Sequence, residues 1–260
     1  MAWQEHTLIT DPWFYAAAIP AVYLCGISKG GFGGGLGVMA VPLMALVISP
    51  VQAAAILLPI LCVMDLVALW KFRGKWRWPE LQVLLPASLL GILVGTLLFG
   101  YMSASVVRLI VGIVAITFTL HFYVNKGRSN SQGVAIYPRS YGLLGGSIAG
   151  FTSFIAHAGG PPVSMYLLHR QLNRTDFAAT TILFFAVVNY VKLIPYAWLE
   201  QLDTGNLATS AALVILAPAG VLTGAWLHKR VSDQFFFAVV YFLLFIVGLK
   251  LVYDGLGGLL

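Results

Sequence analysis

Long apolar runs joined by short polar stretches organise this sequence. The runs extend from Phe14 to Gly26, Val51 to Trp70, Leu81 to Tyr101, Val106 to Tyr123, Tyr141 to Ala156, Phe177 to Trp198, Leu207 to Leu227 and Phe235 to Tyr253. Most approach or reach the roughly 20 residues that a helix needs to cross a bilayer. Two clusters of glycine and proline interrupt the pattern, Ser28 to Pro42 (SKGGFGGGLGVMAVP) and the shorter Ala156 to Pro162 (AHAGGPP). Glycine costs a helix interior about 1 kcal/mol and proline about 3, so each cluster predicts a helix that stops inside the apolar layer. Broken helices persist at that depth only where protein buries them or where they line a cavity. The two breaks are therefore expected to build one binding site.

Composition sharpens this to an all-α polytopic membrane protein. Of 260 residues, 60% are hydrophobic and only 9% charged, against roughly 25% charged in a soluble domain. The longest polar connection, Asn125 to Ser140, holds Gly, Ser and Asn in the manner of a loop, so one transmembrane domain over residues 1–260 is expected. The first dozen residues carry Glu5 and Asp11 but no Lys or Arg; without the basic head of a cleavable signal peptide, the first run should stay in the mature protein. Cys25 and Cys62 lie inside apolar runs and make neither a metal set nor a disulfide framework.

The net charge of +6 is concentrated in short loops at the ends of the runs, which fits a lipid bilayer as partner and excludes a nucleic-acid reading. Lys71 to Arg77 (KFRGKWR), Lys126 with Arg128 and Arg139, Arg170 with Arg174, and Lys229 with Arg230 should be cytoplasmic. The stretches with Glu5 and Asp11, with Glu200 and Asp203, and with Asp254 should face outward. Counting crossings between these marks makes the region from Trp13 to Ser49 enter and return, and the region from Tyr141 to Leu172 do the same. The arm from Pro161 to Arg170 would be only about 15 Å long as a helix, too short for the roughly 30 Å hydrocarbon core, so re-entrant or half-spanning helices are expected.

The two halves also overlay. Gly34 and Gly35 match Gly159 and Gly160, Asp65 falls one place from Asn189, and with four extra residues Gly91 and Gly95 match Gly220 and Gly224. Residues 13–124 and 141–254, joined by a cytoplasmic loop over 125–140, are therefore expected to be two inverted repeats, each a broken hairpin plus three transmembrane helices. Many secondary transporters are built this way, with substrate near the midplane between broken helices.

The early glycine cluster followed by Pro42 and Pro50, the second cluster from Ala149 to Pro162, and the run FAATTILFFAVVNYVKL from Phe177 to Leu193 resemble the TauE/SafE family of bacterial transporters. The resemblance covers about Tyr15 to Tyr253. It implies a multi-pass protein of the cell inner membrane that carries sulfite or an organosulfonate such as sulfoacetate.

The candidate substrate-binding residues are Lys29, Gly33, Gly34, Gly35, His157, Gly159, Gly160, Pro161, Asn189 and Lys192, with Asp65 as the coupling residue. A helix that begins inside the membrane turns unpaired N–H groups toward the break, and two such ends would attract an anion. Pro161 and Pro162 suit a first helical turn, where no N–H is needed. Lys29 supplies a fixed positive charge beside the anion or snorkels to the inner surface. His157 donates to an oxyanion, takes up a proton, or simply packs. Asp65 is a proton or cation site, or half of an ion pair with Lys192. Lys192, about one turn from Asn189 on the same face, looks into the same cavity or snorkels outward. Thr152, Ser153 and Ser164 could add neutral donors.

These residues predict a secondary transporter for a small anion, working by alternating access, with an anion channel as the second reading. An intramembrane enzyme ranks below both: Asp65 has no carboxylate mate, and the one GxSxG string, Gly26 to Gly30, leads from an apolar helix into a glycine run rather than from a strand. No cofactor or metal is expected, since neither a Walker A pattern nor a haem-attachment motif occurs; a homo-oligomer remains open.

Overall fold

The computed structural model describes residues 8–31, 35–126, 138–170, 172–227, 230 and 233–259. Their regular structure is entirely helical: α1 (Pro12–Gly31), a 3-10 segment (Gly35–Met39) running into α2 (Ala40–Met44), α3 (Pro50–Phe72), α4 (Trp78–Phe99), α5 (Ala104–Lys126), α6 (Arg139–Ala156), α7 (Gly160–Leu168), α8 (Arg174–Trp198), α9 (Thr204–Leu213), α10 (Leu216–Leu227) and α11 (Asp233–Gly257). By length and composition α3, α4, Ala104–His121 of α5 and Thr175–Trp198 of α8 can each cross a membrane, and α9 with α10, bent by 41°, is either a broken fifth span or a re-entrant loop. The chain is thus a multi-pass membrane protein. Its starts are those the side chains dictate: Ser49 Oγ accepts from Gln52 N at 3.1 Å to cap α3, Asn173 Oδ1 from Asp176 N at 2.9 Å to cap α8, and Asp203 Oδ1 from Asn206 N at 2.9 Å to cap α9.

Three features differ from the sequence expectation. First, α1 does not stop at Gly26 but continues through Ser28 and Lys29 to Gly31. The low propensity of Gly26 and Gly30 is offset by packing: a Cβ at Gly30 would lie 1.9 Å from the Val221 carbonyl oxygen, and one at Gly26 would lie 2.9 Å from Gly220 Cα. Second, the returning arm of the first hairpin opens as a 3-10 segment and holds only one turn of α-helix, Ala40–Met44, so it offers a far weaker dipole than a full helix. Third, the run from Leu207 to Leu227 is two helices. Pro218 has no N–H to give and its ring crowds the carbonyl four residues back, at Val214, where the chain bends.

Glycine-to-backbone contacts also set which helices pair. Gly91 and Gly95 of α4 face α6, where a Cβ at Gly91 would meet Ser147 O at 2.0 Å and one at Gly150 would meet Ser88 O at 2.0 Å. Gly220 and Gly224 of α10 face Gly26 and Gly30 of α1 in the same way, with Gly224 against Ile27 O at 2.1 Å. Both are contacts between two small-xxx-small faces, and in both the helices run parallel. α5 and α11 pair antiparallel, with Gly112 against Val252 and Gly255 against Leu109. Between these pairs lie α3 and α8, the most enclosed of the spans, and the functional side chains converge on them.

The two ends of the bundle differ in charge. Arg77 Nε donates to Asp176 Oδ2 at 2.6 Å, and Glu80 accepts from Arg170 Nε at 2.9 Å and from the Tyr166 hydroxyl at 2.6 Å. The loop of Lys71 to Arg77 therefore shares an end with Arg170. At the other end Ile9 N donates to Thr209 Oγ1, Gln52 Nε2 to Asn206 Oδ1 at 3.3 Å, and the Ser210 hydroxyl to Ile56 O at 2.7 Å. The start of the chain and the turn after α8 share that end.

Candidate functional site

Where α1, α3 and α8 meet, an aspartate is held from both sides. Asp65, in the third quarter of α3, is fully buried. Its Oδ1 accepts from the Lys29 ammonium in the last turn of α1, and its Oδ2 accepts from Asn189 Nδ2 at 2.7 Å. The ion pair thus runs to Lys29 rather than to Lys192. Lys29 is only 5% exposed, so it does not snorkel; α1 extends far enough to carry its ammonium inward.

One turn beyond Asn189, Lys192 is fully buried as well, among different partners. Its Nζ lies 2.9 Å from Ser153 O, 3.0 Å from Ser153 Oγ and 2.6 Å from His157 Nδ1. His157 Nε2 lies 2.9 Å from the Ala54 carbonyl oxygen of α3. A carbonyl only accepts, so Nε2 carries the ring proton and the Nδ1 lone pair receives Lys192. His157 ends α6 in the left-handed conformation, φ 51°, and its ring stacks on Tyr196 at 6.3 Å between centroids. The Tyr196 hydroxyl donates to Phe154 O at 2.6 Å, which joins the end of α6 to α8.

Charge separates the two halves of this cluster. Lys29 has a carboxylate partner; Lys192 has a carbonyl, a hydroxyl and a neutral imidazole. Among the described residues the other buried acid, Glu80, is engaged by Tyr166 and Arg170 at the end of the bundle. An uncompensated charge at the centre of a membrane helix costs at least about 2.5 kcal/mol, and no carboxylate is among the hydrogen-bond partners of Lys192 to offset one.

The breaks bring their backbone to the same place. A Cβ on Gly37 of the first arm would lie 3.8 Å from His157 O in the second. α7 opens at Gly160 with Pro161 and Pro162 in its first turn and no side-chain cap, and Gly159 at its N-cap lies against Ser153, the residue that holds Lys192. A Cβ at Gly159 would also come within 2.7 Å of Ala149 O, so its missing side chain lets α7 pack on α6. Gly35 opens the 3-10 segment; Gly33 and Gly34 lie outside the described residues. No group of three or more His, Cys, Asp or Glu residues is arranged to hold a metal among the described residues.

Lys29, Asp65, His157, Asn189 and Lys192 therefore form one buried cluster, with Ser153 as a direct member. Thr152 instead donates to its own helix at Ile148 O. Sequence reasoning passed over Tyr196 and the Ala54 carbonyl. The first was within reach, because Asn189, Lys192 and Tyr196 follow the three-and-four spacing of one helix face. The second is backbone, which carries no residue signal.

No curated protein and no solved structure matches the chain. The family model for the sulfite exporter TauE/SafE matches residues 18–251, which takes in every residue of the buried cluster, and the chain belongs to that family of membrane transporters.

Proposed function

We propose that the protein is a secondary transporter for a small anion, a sulfur oxyanion such as sulfite or a short organosulfonate, across the bacterial inner membrane, and that the anion binds at Lys192 between the two chain breaks. The observation that carries this reading is the Lys192 amino group, fully buried and without a carboxylate among its partners. Lys29, Ser153, Asn189 and the backbone N–H groups of Gly159 and Gly160 complete the donors around it, Pro161 starts α7 where no N–H is needed, His157 holds Lys192 in place, and Asp65 is the coupling group. Gly33, Gly34 and Gly35 are assigned to the facing break.

Helix pairing supports alternating access by two inverted repeats, residues 13–124 and 141–254. Exchanging α1 with α6, α3 with α8, α4 with α9–α10 and α5 with α11 turns the parallel α4–α6 contact into the parallel α1–α10 contact and maps the antiparallel α5–α11 contact onto itself. A two-fold axis in the membrane plane has that effect. The same exchange carries the Arg77–Asp176 closure onto the Gln52–Asn206 closure, so each end has its own gate. A negative-inside membrane drives each negative charge outward by about 2.3 kcal/mol per 100 mV, so export needs no further coupling, whereas uptake needs the coupling assigned to Asp65.

Thermal stabilisation of the purified protein by sulfite, thiosulfate, sulfate, sulfoacetate, acetate and nickel tests the assignment. A ligand at a hundredfold excess over its dissociation constant stabilises by about 2.7 kcal/mol. Stabilisation by a sulfur oxyanion that falls to about half or less in Lys192→Met supports the site; a response to nickel alone would overturn it.

A further inference from the structure

We infer that the buried cluster stays electrically neutral around its cargo, so that a doubly charged anion is taken with one proton more than a singly charged one, and that Asp65 carries this proton. The inference rests on the anion site proposed above and adds a rule for what that site accepts.

The cluster has two lysines and one carboxylate, all at most 5% exposed, and around a bound anion both lysines are taken as charged. The groups facing Asp65 are Lys29 from α1 and Asn189 and Lys192 from α8; the thiols of Cys62 on α3 and Cys25 on α1 and the Tyr190 hydroxyl on α8 are further titratable neighbours, with His157 beyond Lys192. His157 is neutral by its hydrogen bonds. One negative charge beside Lys192 therefore balances the cluster, and a second leaves an uncompensated charge in an apolar interior.

Asp65 is built to absorb that difference. Its two oxygens have separate partners, Oδ1 with Lys29 and Oδ2 with Asn189. A proton from water added at Oδ1 converts the carboxylate to the acid and releases Lys29 toward the second charge of the anion. Asn189 still donates to Oδ2, so the side chain keeps its place while Oδ1 alternates between lysine and proton. Loss of the proton when the anion departs restores the resting pair.

Calorimetry of the purified full-length protein counts these protons. Binding of methanesulfonate, with one charge, and thiosulfate, with two, is measured in buffers of different ionisation enthalpy, and the slope of heat against that enthalpy gives the protons taken up. Thiosulfate is expected to take up one more than methanesulfonate, with the difference gone in Asp65→Asn. In Lys29→Gln, which removes one cation, methanesulfonate itself should take up one more proton than in the unmodified protein. Equal counts for the two anions in the unmodified protein, or a difference that persists in Asp65→Asn, overturn the inference and leave the anion site standing. Absence of binding heat for either anion in folded protein is the separate result that removes the anion site and the inference together.

Discussion

Asn189 Nδ2 donates to Asp65 Oδ2 at 2.7 Å, joining residues 124 positions apart on the two central spans. The overlay of the halves puts Asp65 one place from Asn189, so each stands near the other's equivalent position. On the inverted-repeat arrangement proposed above, residues that correspond across the two-fold axis meet when they lie close to it, and a symmetric pair there would be two aspartates. Two carboxylates at hydrogen-bond distance must share a proton; an amide on one side gives the carboxylate a donor instead. The asymmetry leaves one carboxylate there rather than two.

Removing Asp65 should cost more stability than removing its pair. Breaking a buried ion pair by deleting one partner costs about 3–5 kcal/mol because the survivor is left without compensation, whereas replacing both by apolar groups is often neutral. Asp65→Ala should lower the melting temperature of the detergent-solubilised protein sharply, Asp65→Asn less, and Asp65→Ala with Lys29→Met should recover most of the loss. An additive double variant would show that the two side chains do not depend on each other.

Lys192 should behave in the opposite way. Its partners are neutral, so Lys192→Met removes a buried charge without stranding another, and stability should hold or rise. Hydrogen bonds to charged groups are worth about 1.5–3 kcal/mol, so anion affinity should fall about tenfold to a hundredfold. Stability and binding measured on the same sample separate this from simple misfolding.

How much of this was legible in the sequence depended on which force decided each feature. The glycine clusters marked the two breaks, and the helix-face spacing of Asn189 and Lys192 put both on one face but left open whether Lys192 turned inward or outward. The partner of Asp65 was hidden because glycine propensity argued against helix at Gly30, while the contact with Val221 that stabilises it comes from a helix about 190 residues later. The bend between α9 and α10 was readable from Pro218 but masked by the unbroken apolar composition around it. His157 could be singled out as a buried histidine, yet its tautomer depends on the Ala54 carbonyl, which only the folded backbone supplies.

The two closures should respond unequally to substitution. Glu80 is 6% exposed and holds both Tyr166 and Arg170, whereas the Arg77 side chain of the Arg77–Asp176 pair is 55% exposed, where an ion pair contributes about 0–1 kcal/mol. Glu80→Gln should therefore open the basic end more than Asp176→Asn. Cys62, one turn before Asp65 and 7% exposed, is a built-in reporter once Cys25 is replaced by Ala. A maleimide supplied from the basic side should modify it about tenfold faster in Glu80→Gln if the closure loses about 1.4 kcal/mol, and only slightly faster in Asp176→Asn. Equal rates in both would place the closing contact elsewhere.

The glycine faces yield the sharpest contrast. At Gly150 a Cβ would lie 2.0 Å from Ser88 O, and at Gly224 it would lie 2.1 Å from Ile27 O; these are backbone atoms that cannot swing aside. Gly150→Ala and Gly224→Ala must push α4 from α6 or α10 from α1, and should destabilise by about 1–3 kcal/mol or more. Gly100 ends α4 at φ −64° with open space around it, so Gly100→Ala restricts the unfolded chain without a clash and should be neutral or stabilising by up to about 1 kcal/mol. Melting curves of the three variants test this directly. If Gly150→Ala and Gly224→Ala melted with the unmodified protein, the close helix contacts would not govern the fold, and the pairing argument for inverted repeats would lose its physical basis.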